Sequence, residues 1–348
     1  MKTLQRYGSD VFDATALPVV SLLHNEANIV QDFLSHYRGL GPVSFLIVDD
    51  GSTDGTAELL ADAPDVTVFR PVAGSTYRED KAVWRSELLD AYGDARWCLV
   101  PDLDEHFVYA GADTLAHYIA QLEAEGAEAV ATLMIDMYGD QPLRDHVHPV
   151  GEDLALGKRF TLFDGPDAYA MRSVMGRAIR RFPTPPIAFH GGPRDRLQRG
   201  GLFDGAGRLS RWVLQNRVGL DQPIRARSSM GRRIVDRFAR AQFSGTLNMT
   251  KLGLLRWQRG LRFNGGAHKV NRILPVSESI AGFLHYPFTR GQAGVAYIAR
   301  RGQHAGGAKH YRAVLDTDMM DRSLVHEGSR VFSDIADLTG LIRPVPVR

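Results

Sequence analysis

Between residues 1 and 135 short apolar runs alternate with amphipathic stretches, and this alternation constrains the fold more than any other feature of the chain. Strands buried on both faces read as near-continuous apolar runs, whereas covering helices show apolar residues three and four apart. Leu17–Leu23, Val43–Val48, Val66–Phe69, Trp97–Val100 and Ala129–Ile135 are runs of the first kind. Glu26–Tyr37, a segment opening at Asp54-Gly55-Thr56, Glu79–Tyr92 and Thr114–Glu125 are of the second kind, with Asp54 expected as a helix N-cap. The resulting β-α-β-α-β-α-β order predicts an α/β fold, a Rossmann-like doubly wound and mostly parallel sheet.

In such a sheet ligands bind beyond the carboxyl ends of the strands. The first run is followed by His24-Asn25-Glu26, the second by Asp49-Asp50-Gly51-Ser52-Thr53-Asp54, and the fourth by Asp102-Leu103-Asp104-Glu105. Three polar, mostly acidic clusters therefore fall on one rim. Two carboxylates one residue apart, leaving a strand, can both face a cleft. Hard cations such as Mg2+ and Mn2+ take oxygen ligands and share them with phosphate groups, so an Asp-X-Asp at this place suits a metal bridging protein to a diphosphate. A solvated turn is the plain alternative for the spacing by itself.

Beyond residue 140 the pattern loosens, with prolines at 142, 149, 166, 183, 185, 186 and 193 and glycine pairs at 191–192, 200–201, 265–266 and 306–307. We read residues 15–140 as a nucleotide-binding half, 141–315 as an irregular α+β acceptor half that completes the site, and 316–348 as a C-terminal tail. Net charge is +2, yet residues 1–157 carry 9 Lys/Arg against 27 Asp/Glu, while residues 171–240 carry 16 Arg against 4 Asp. Such segregation suits an anionic partner on the basic side. Gly231–Gln242 reads as a short basic helix, docked by its apolar face or lying on a membrane surface. No run reaches the ~18–20 apolar residues of a membrane span, Met1–Asp13 has no secretory apolar core, and the single Cys98 lies in an apolar run, so a cytoplasmic protein is expected, with peripheral contact at the inner membrane face as the sharper alternative.

The segments Val19–Glu26, Leu46–Thr56 and Trp97–Glu105 resemble the family 2 glycosyltransferase domain, in the branch with an Asn-Glu first loop and an Asp-Leu-Asp-Glu metal motif. Scattered similarity continues through Met134–Asp140, Gly191–Arg194, Thr250-Lys251, Leu255–Trp257, His268, Leu284–Tyr286 and Gly306–Tyr311, with 205–245 resembling an insertion. The resemblance implies a GT-A fold, a nucleoside-diphosphate sugar donor, a divalent Mn2+ or Mg2+ ion, and transfer with inversion to an acceptor hydroxyl of a glycan or lipid-linked substrate. It implies that His24, Asn25 and Glu26 surround the base and ribose, with Asp49 or Asp50 on the base or ribose edge. Asp104 becomes a direct metal ligand, and Asp102 a ligand or a partner of ribose or a bound water. His285 is the first choice for completing the metal shell and His268 the second. Lys81 and Arg85, four apart on one helix face, become candidates for the diphosphate, as do Lys251 and Lys269.

An inverting reaction requires a carboxylate base, for which Asp195 and Asp136 are the candidates; an ion pair with Arg194 or Arg196 is the alternative for Asp195. Two rival readings remain. A sugar-phosphate nucleotidyltransferase shares the sheet and the metal carboxylates, but such enzymes place a glycine-rich basic loop where this chain has His24-Asn25-Glu26. A nucleic-acid-binding module would use the arginine block, but the block lacks a zinc-finger cysteine pattern and has few aromatics placed for base stacking. No nucleic-acid partner is expected.

Overall fold

The computed structural model describes residues 1–174, 177–199, 206–217, 247–303 and 305–346. The first segment runs β1 (Leu4–Tyr7), β2 (Leu17–Leu23), α1 (Val30–Gly39), β3 (Val43–Asp49), α2 (Thr56–Ala61), β4 (Val66–Pro71), α3 (Tyr77–Tyr92), β5 (Trp97–Leu99), β6 (Glu105–Val108), α4 (Leu115–Glu125) and β7 (Ala129–Asp136). There follow α5 (Leu156–Arg159), β8 (Leu162–Asp164), β9 (Tyr169–Ser173), α6 (Arg177–Arg181), β10 (Ile187–Gly191), α7 (Pro193–Arg199) and α8 (Arg208–Arg217). The chain then continues through β11 (Thr250–Arg256), β12 (Phe263–Asn264), β13 (Gly266–Val270), β14 (Val276–His285), α9 (Gly291–Arg301), α10 (Ala305–Leu315) and β15 (Ser329–Val331).

Nine strands form one sheet in the order β1-β4-β3-β2-β5-β11-β7-β14-β6. Strands β3, β4, β5, β7 and β14 run in the direction of β2, and β1, β6 and β11 run against it. The fold is therefore α/β, with a mixed and mostly parallel Rossmann-like sheet. Alternation along the strands divides the core between the two faces: Val19, Phe45 and Ile47 pack with Phe33 and Leu34 of α1, while Val20, Leu22, Leu46 and Val48 pack with Trp84 and Leu88 of α3. Each such side chain stabilises the fold by about 1.5–3 kcal/mol when removed from water, so these runs need cover on both faces.

The apolar runs of the first segment lie where the sequence predicts them, and so do its helices, except that α1 begins at Val30 rather than Glu26. Two further local features differ. The residue preceding α2 is Gly55 at φ 92°, with no side-chain cap, and the Asp54 carboxylate instead accepts from the backbone N–H groups of Ala27 and Thr56, 3.1 Å each. It joins two rim loops rather than capping a helix. Strands β1 and β6 carry no apolar run to announce them, since β1 buries only Leu4 and β6 begins inside the acidic cluster.

The later segment contributes to the same sheet. β11 lies antiparallel between β5 and β7, with a register shift between Lys251 and Leu254. A Cβ at Gly253 would lie 2.6 Å from the Phe283 ring, so this close passage admits only glycine. The residues after 316 fold back onto the body: Leu338, Leu341 and Ile342 join the main core, and Arg343 bridges to Ile280. The expected basic helix at 231–242 lies outside the described residues, as do residues 218–240 of the arginine block. Among the described residues no helix is long and apolar enough to cross a membrane.

Candidate functional site

The carboxyl ends of β2, β3, β5, β7 and β14 share one rim, and a cavity of about 670 Å³ opens there. Two of the three sequence-predicted clusters line it, through His24 and Glu26 and through Asp102–Glu105, and the Asp49–Asp54 loop packs against the first of them. His24 Nδ1 donates to the Asp50 carbonyl at 2.7 Å, and the Asn25 backbone N–H donates to Ser52 Oγ at 2.9 Å. Asn25 adopts φ 57° so that its side chain can reach both ways, accepting from Thr53 N–H at 2.7 Å and donating to Tyr297 Oη at 2.9 Å. Arg290 donates to the Asn25 carbonyl at 2.7 Å and lies 3.8 Å from Glu26, while Arg301 pairs with Asp50. Glu26 lines the cavity, and burial, opposed by Arg290, pushes its carboxyl up to about 8. Asp49 lies elsewhere: it is fully buried, accepts from Ser52 N–H at 2.8 Å and faces Arg70 at 3.4 Å, so it shapes the loop from below.

The acidic cluster after β5 divides into two settings. Asp102 is bonded through one oxygen by Arg85 and through the other by Lys251, whose ammonium also lies 3.1 Å from Glu105. Arg85 and Lys251 are almost wholly buried, and the bulge in β11 directs Lys251 to this place. Burial by itself would raise the Asp102 pKa, but Lys251 and Arg85 outweigh it and hold the carboxyl well below its usual range. With both oxygens engaged by cations, Asp102 has little capacity left for a metal. Lys81 lines the same end, 5.0 Å from the Tyr77 ring, with its pKa lowered by burial.

Asp104 faces the other way. His285 Nε2 lies 3.3 Å from its carboxylate, and His285 Nδ1 donates to Asp136 at 2.6 Å. Strand pairing dictates this arrangement: β14 pairs His285 with Asp136 on the parallel neighbour β7 and with Glu105 on the antiparallel neighbour β6. Three residues distant in sequence thus stand in one row across the sheet. Burial would lower the His285 pKa, but the Asp104 charge and the hydrogen bonds that the ring donates to Asp104 and Asp136 raise it to about 9. Asp136 is held low against its own burial by Arg194, which donates to it at 2.8 Å. Ligand-type atoms of Asp104, Glu105 and His285 lie within 4.8 Å of one another. Two hard carboxylates and an imidazole whose second nitrogen is fixed by a carboxylate make a donor set that fits a divalent cation.

The remaining candidates separate clearly. Asp195 on α7 is buried outside the cavity lining and accepts from Leu247 N–H at 3.1 Å; its neighbours Arg194 and Arg196 pair with Asp136 and Asp164 instead. Asp136 is also absent from the lining, standing one layer behind His285. His268 lines the cavity at the Lys251 end, donating to the Thr250 carbonyl at 2.6 Å, with burial pushing it down to about 4. Lys269 points away and donates to the Pro185 carbonyl. Sequence reasoning placed Glu105 in the acidic metal motif without singling it out as a ligand, and it missed Arg290, Tyr297 and Arg301. Their signal is the helical spacing of 290, 294, 297 and 301 on the face that α9 turns to the cavity.

No protein-family model matches the chain. Over 68 residues it is 37% identical to the glycosyltransferase AglJ of Haloferax volcanii, a stretch that is 20% of this chain and 22% of that protein's length. A crystal structure of a Bacillus anthracis protein described as a candidate glucose-1-phosphate thymidylyltransferase, in complex with a sucrose, matches 40% of this chain and 63% of that one. Its TM-score is 0.25 at 11% identity, a likeness too slight to carry an argument.

Proposed function

We propose that this chain is a glycosyltransferase that moves a sugar from a nucleoside diphosphate to an acceptor hydroxyl of a glycan or lipid-linked substrate, with inversion. The observation that carries the reading is the row Glu105–His285–Asp136, which sets a carboxylate and an oriented imidazole opposite Asp104 at the carboxyl rim of the sheet. The short stretch shared with a protein named as a glycosyltransferase supports the same class of reaction. In this reading Asp104, Glu105 and His285 hold a Mn2+ or Mg2+ ion, which when bound stabilises charge on the departing diphosphate. Asp136 fixes the ring orientation of His285, and Arg194 keeps Asp136 ionised. The Asp102 end, with Lys81, Arg85 and Lys251, presents positive charge to the rest of the anion. His24, Asn25, Glu26 and Asp50 surround the base and ribose. Neither Asp136 nor Asp195 lines the cavity, so we assign the acceptor's base to neither. The arginine-rich segment is proposed to face an anionic acceptor or the membrane surface that carries it.

Incubation with a panel of nucleotide sugars and Mn2+ tests the reading. Release of a nucleoside diphosphate, suppressed by EDTA, is the expected result. Release of pyrophosphate from a sugar phosphate and a nucleoside triphosphate would instead make the chain a nucleotidyltransferase.

A further inference from the structure

Helix α9 comes from the far end of the chain, yet one of its faces is fastened to the first two rim loops. Arg290, the residue before its first turn, reaches the Asn25 carbonyl; Tyr297 accepts from the Asn25 side chain; Arg301 pairs with Asp50. All three line the cavity. Gly294 lies between them, where a Cβ would come within 2.5 Å of that of Arg290, so the arginine can cross the helix toward the loop. The rings of Tyr297 and His24 are nearly parallel, 8° apart in tilt, with centroids separated by 6.0 Å. The Arg290 guanidinium lies over the same Tyr297 ring, 5.3 Å from its centroid, so a planar group entering here would meet both a ring and a cation. Burial and the nearby Arg301 lower the His24 pKa, so the imidazole meets the cavity neutral and flat.

His24 and Tyr297 line the cavity beside Arg290 and Arg301, and Lys81, Arg85 and Lys251 line it around Asp102. A phosphate group fits the second group by charge, and a planar heterocycle fits the first by its parallel rings. We propose that Tyr297 supplies the stacking surface for the nucleobase of the donor, which makes α9 part of the nucleotide subsite. The proposal rests on the nucleotide-sugar reading and adds to it a residue that the rim loops do not contain. Stacking on an aromatic face tolerates different bases, so Tyr297 contributes affinity for any base while the rim loops select among them.

The test is calorimetry on the full chain with Mn2+, using UDP, GDP, ADP and inorganic pyrophosphate as probes, for wild type, Tyr297→Leu and Tyr297→Phe. Tyr297→Leu is expected to weaken the best nucleoside diphosphate by about tenfold or more, leaving pyrophosphate affinity unchanged as the sign of an intact cavity. Tyr297→Phe keeps the ring, loses the bond to Asn25, and should stay close to wild type. Unchanged nucleotide affinity in Tyr297→Leu overturns the proposal and leaves the glycosyltransferase reading standing. Equal losses in the Leu and Phe variants also overturn it, because the hydroxyl bond would then be the whole effect. So does a parallel loss of pyrophosphate binding. Wild type that binds no nucleoside diphosphate more tightly than pyrophosphate sinks both this proposal and the reading beneath it.

Discussion

Asp102 and Asp104 leave the same strand one residue apart, yet they stand in opposite electrostatic settings. Asp102 is gripped by two buried cations, whereas Asp104 shares its surroundings with another carboxylate and an imidazole. Two cations outweigh the single charge of Asp102 and leave that end positive, whereas beside Asp104 stand a second carboxylate and one imidazole. Spacing alone makes two such carboxylates look equivalent. Their partners, arriving from β11, β14 and α3, give them different work.

Breaking the Asp102 setting should have the largest effect, and it should appear in stability. Lys251→Met strips one cation from a buried cluster, and loss of one partner of a buried ion pair costs about 3–5 kcal/mol; the urea midpoint should fall accordingly. A midpoint equal to wild type would mean that the cluster is not an energetic unit. In the other setting the effect should appear in turnover. Asp104→Asn is expected to reduce sugar transfer by about 10²–10³-fold, the scale of losing one electrostatic contact to the transition state, with the urea midpoint nearly unmoved. Equal damage to stability in both variants would erase the contrast between the two aspartates.

A smaller effect is expected one layer back. Asp136→Asn leaves the strand register intact but weakens the orientation of His285, so Mn2+ affinity measured by calorimetry should fall by about 10–100-fold. The last prediction concerns acid. His36 stacks on His106 with centroids 4.4 Å apart, donates to the Phe107 carbonyl at 2.9 Å, and is pushed by burial down to about 4. The folded state favours its neutral form, so this contribution is complete above the ordinary imidazole range and is lost as pH falls from about 6.5 toward 4. Asp102, with its lowered pKa, keeps its ion pairs throughout that window. Urea midpoints at pH 7 and pH 5 should converge in His36→Phe relative to wild type. They should keep the wild-type difference in Asp102→Asn.

The N-terminal part of the chain was legible because its signals are local. Leu17–Leu23 predicts β2 to the residue, and the runs beginning at Val43, Val66, Trp97 and Ala129 each begin a strand. The three rim clusters follow from those strands by the rule for parallel sheets. What the sequence conceals is pairing between distant residues. Lys251 and His285 could be singled out as types, but nothing along the chain says that Lys251 meets Asp102 or that His285 stands beside Asp136. Those contacts depend on the place of β11 and β14 in the sheet, and both strands lie beyond residue 140, where the alternating pattern has been lost. Asp195 shows the converse error: the arginines beside it in sequence pair with partners elsewhere, and its carboxylate is buried against the backbone of Leu247. Asp49 and Asp50 are neighbours with unlike fates because alternation sends one beneath the loop and leaves the other at its surface.

The position of β11 also bears on how the chain reaches its native state. Its residues, 250–256, fill the gap between strands that finish by residue 136, so the edges of β5 and β7 have no neighbour until more than a hundred further residues have been synthesised. Such pairings across long sequence separations slow folding and leave sticky strand edges exposed in the meantime. On the ribosome, an emerging N-terminal portion would carry open edges on β5, β6 and β7 that only the late strands β11 and β14 can seal, which favours chaperone assistance and argues against dissection into fragments.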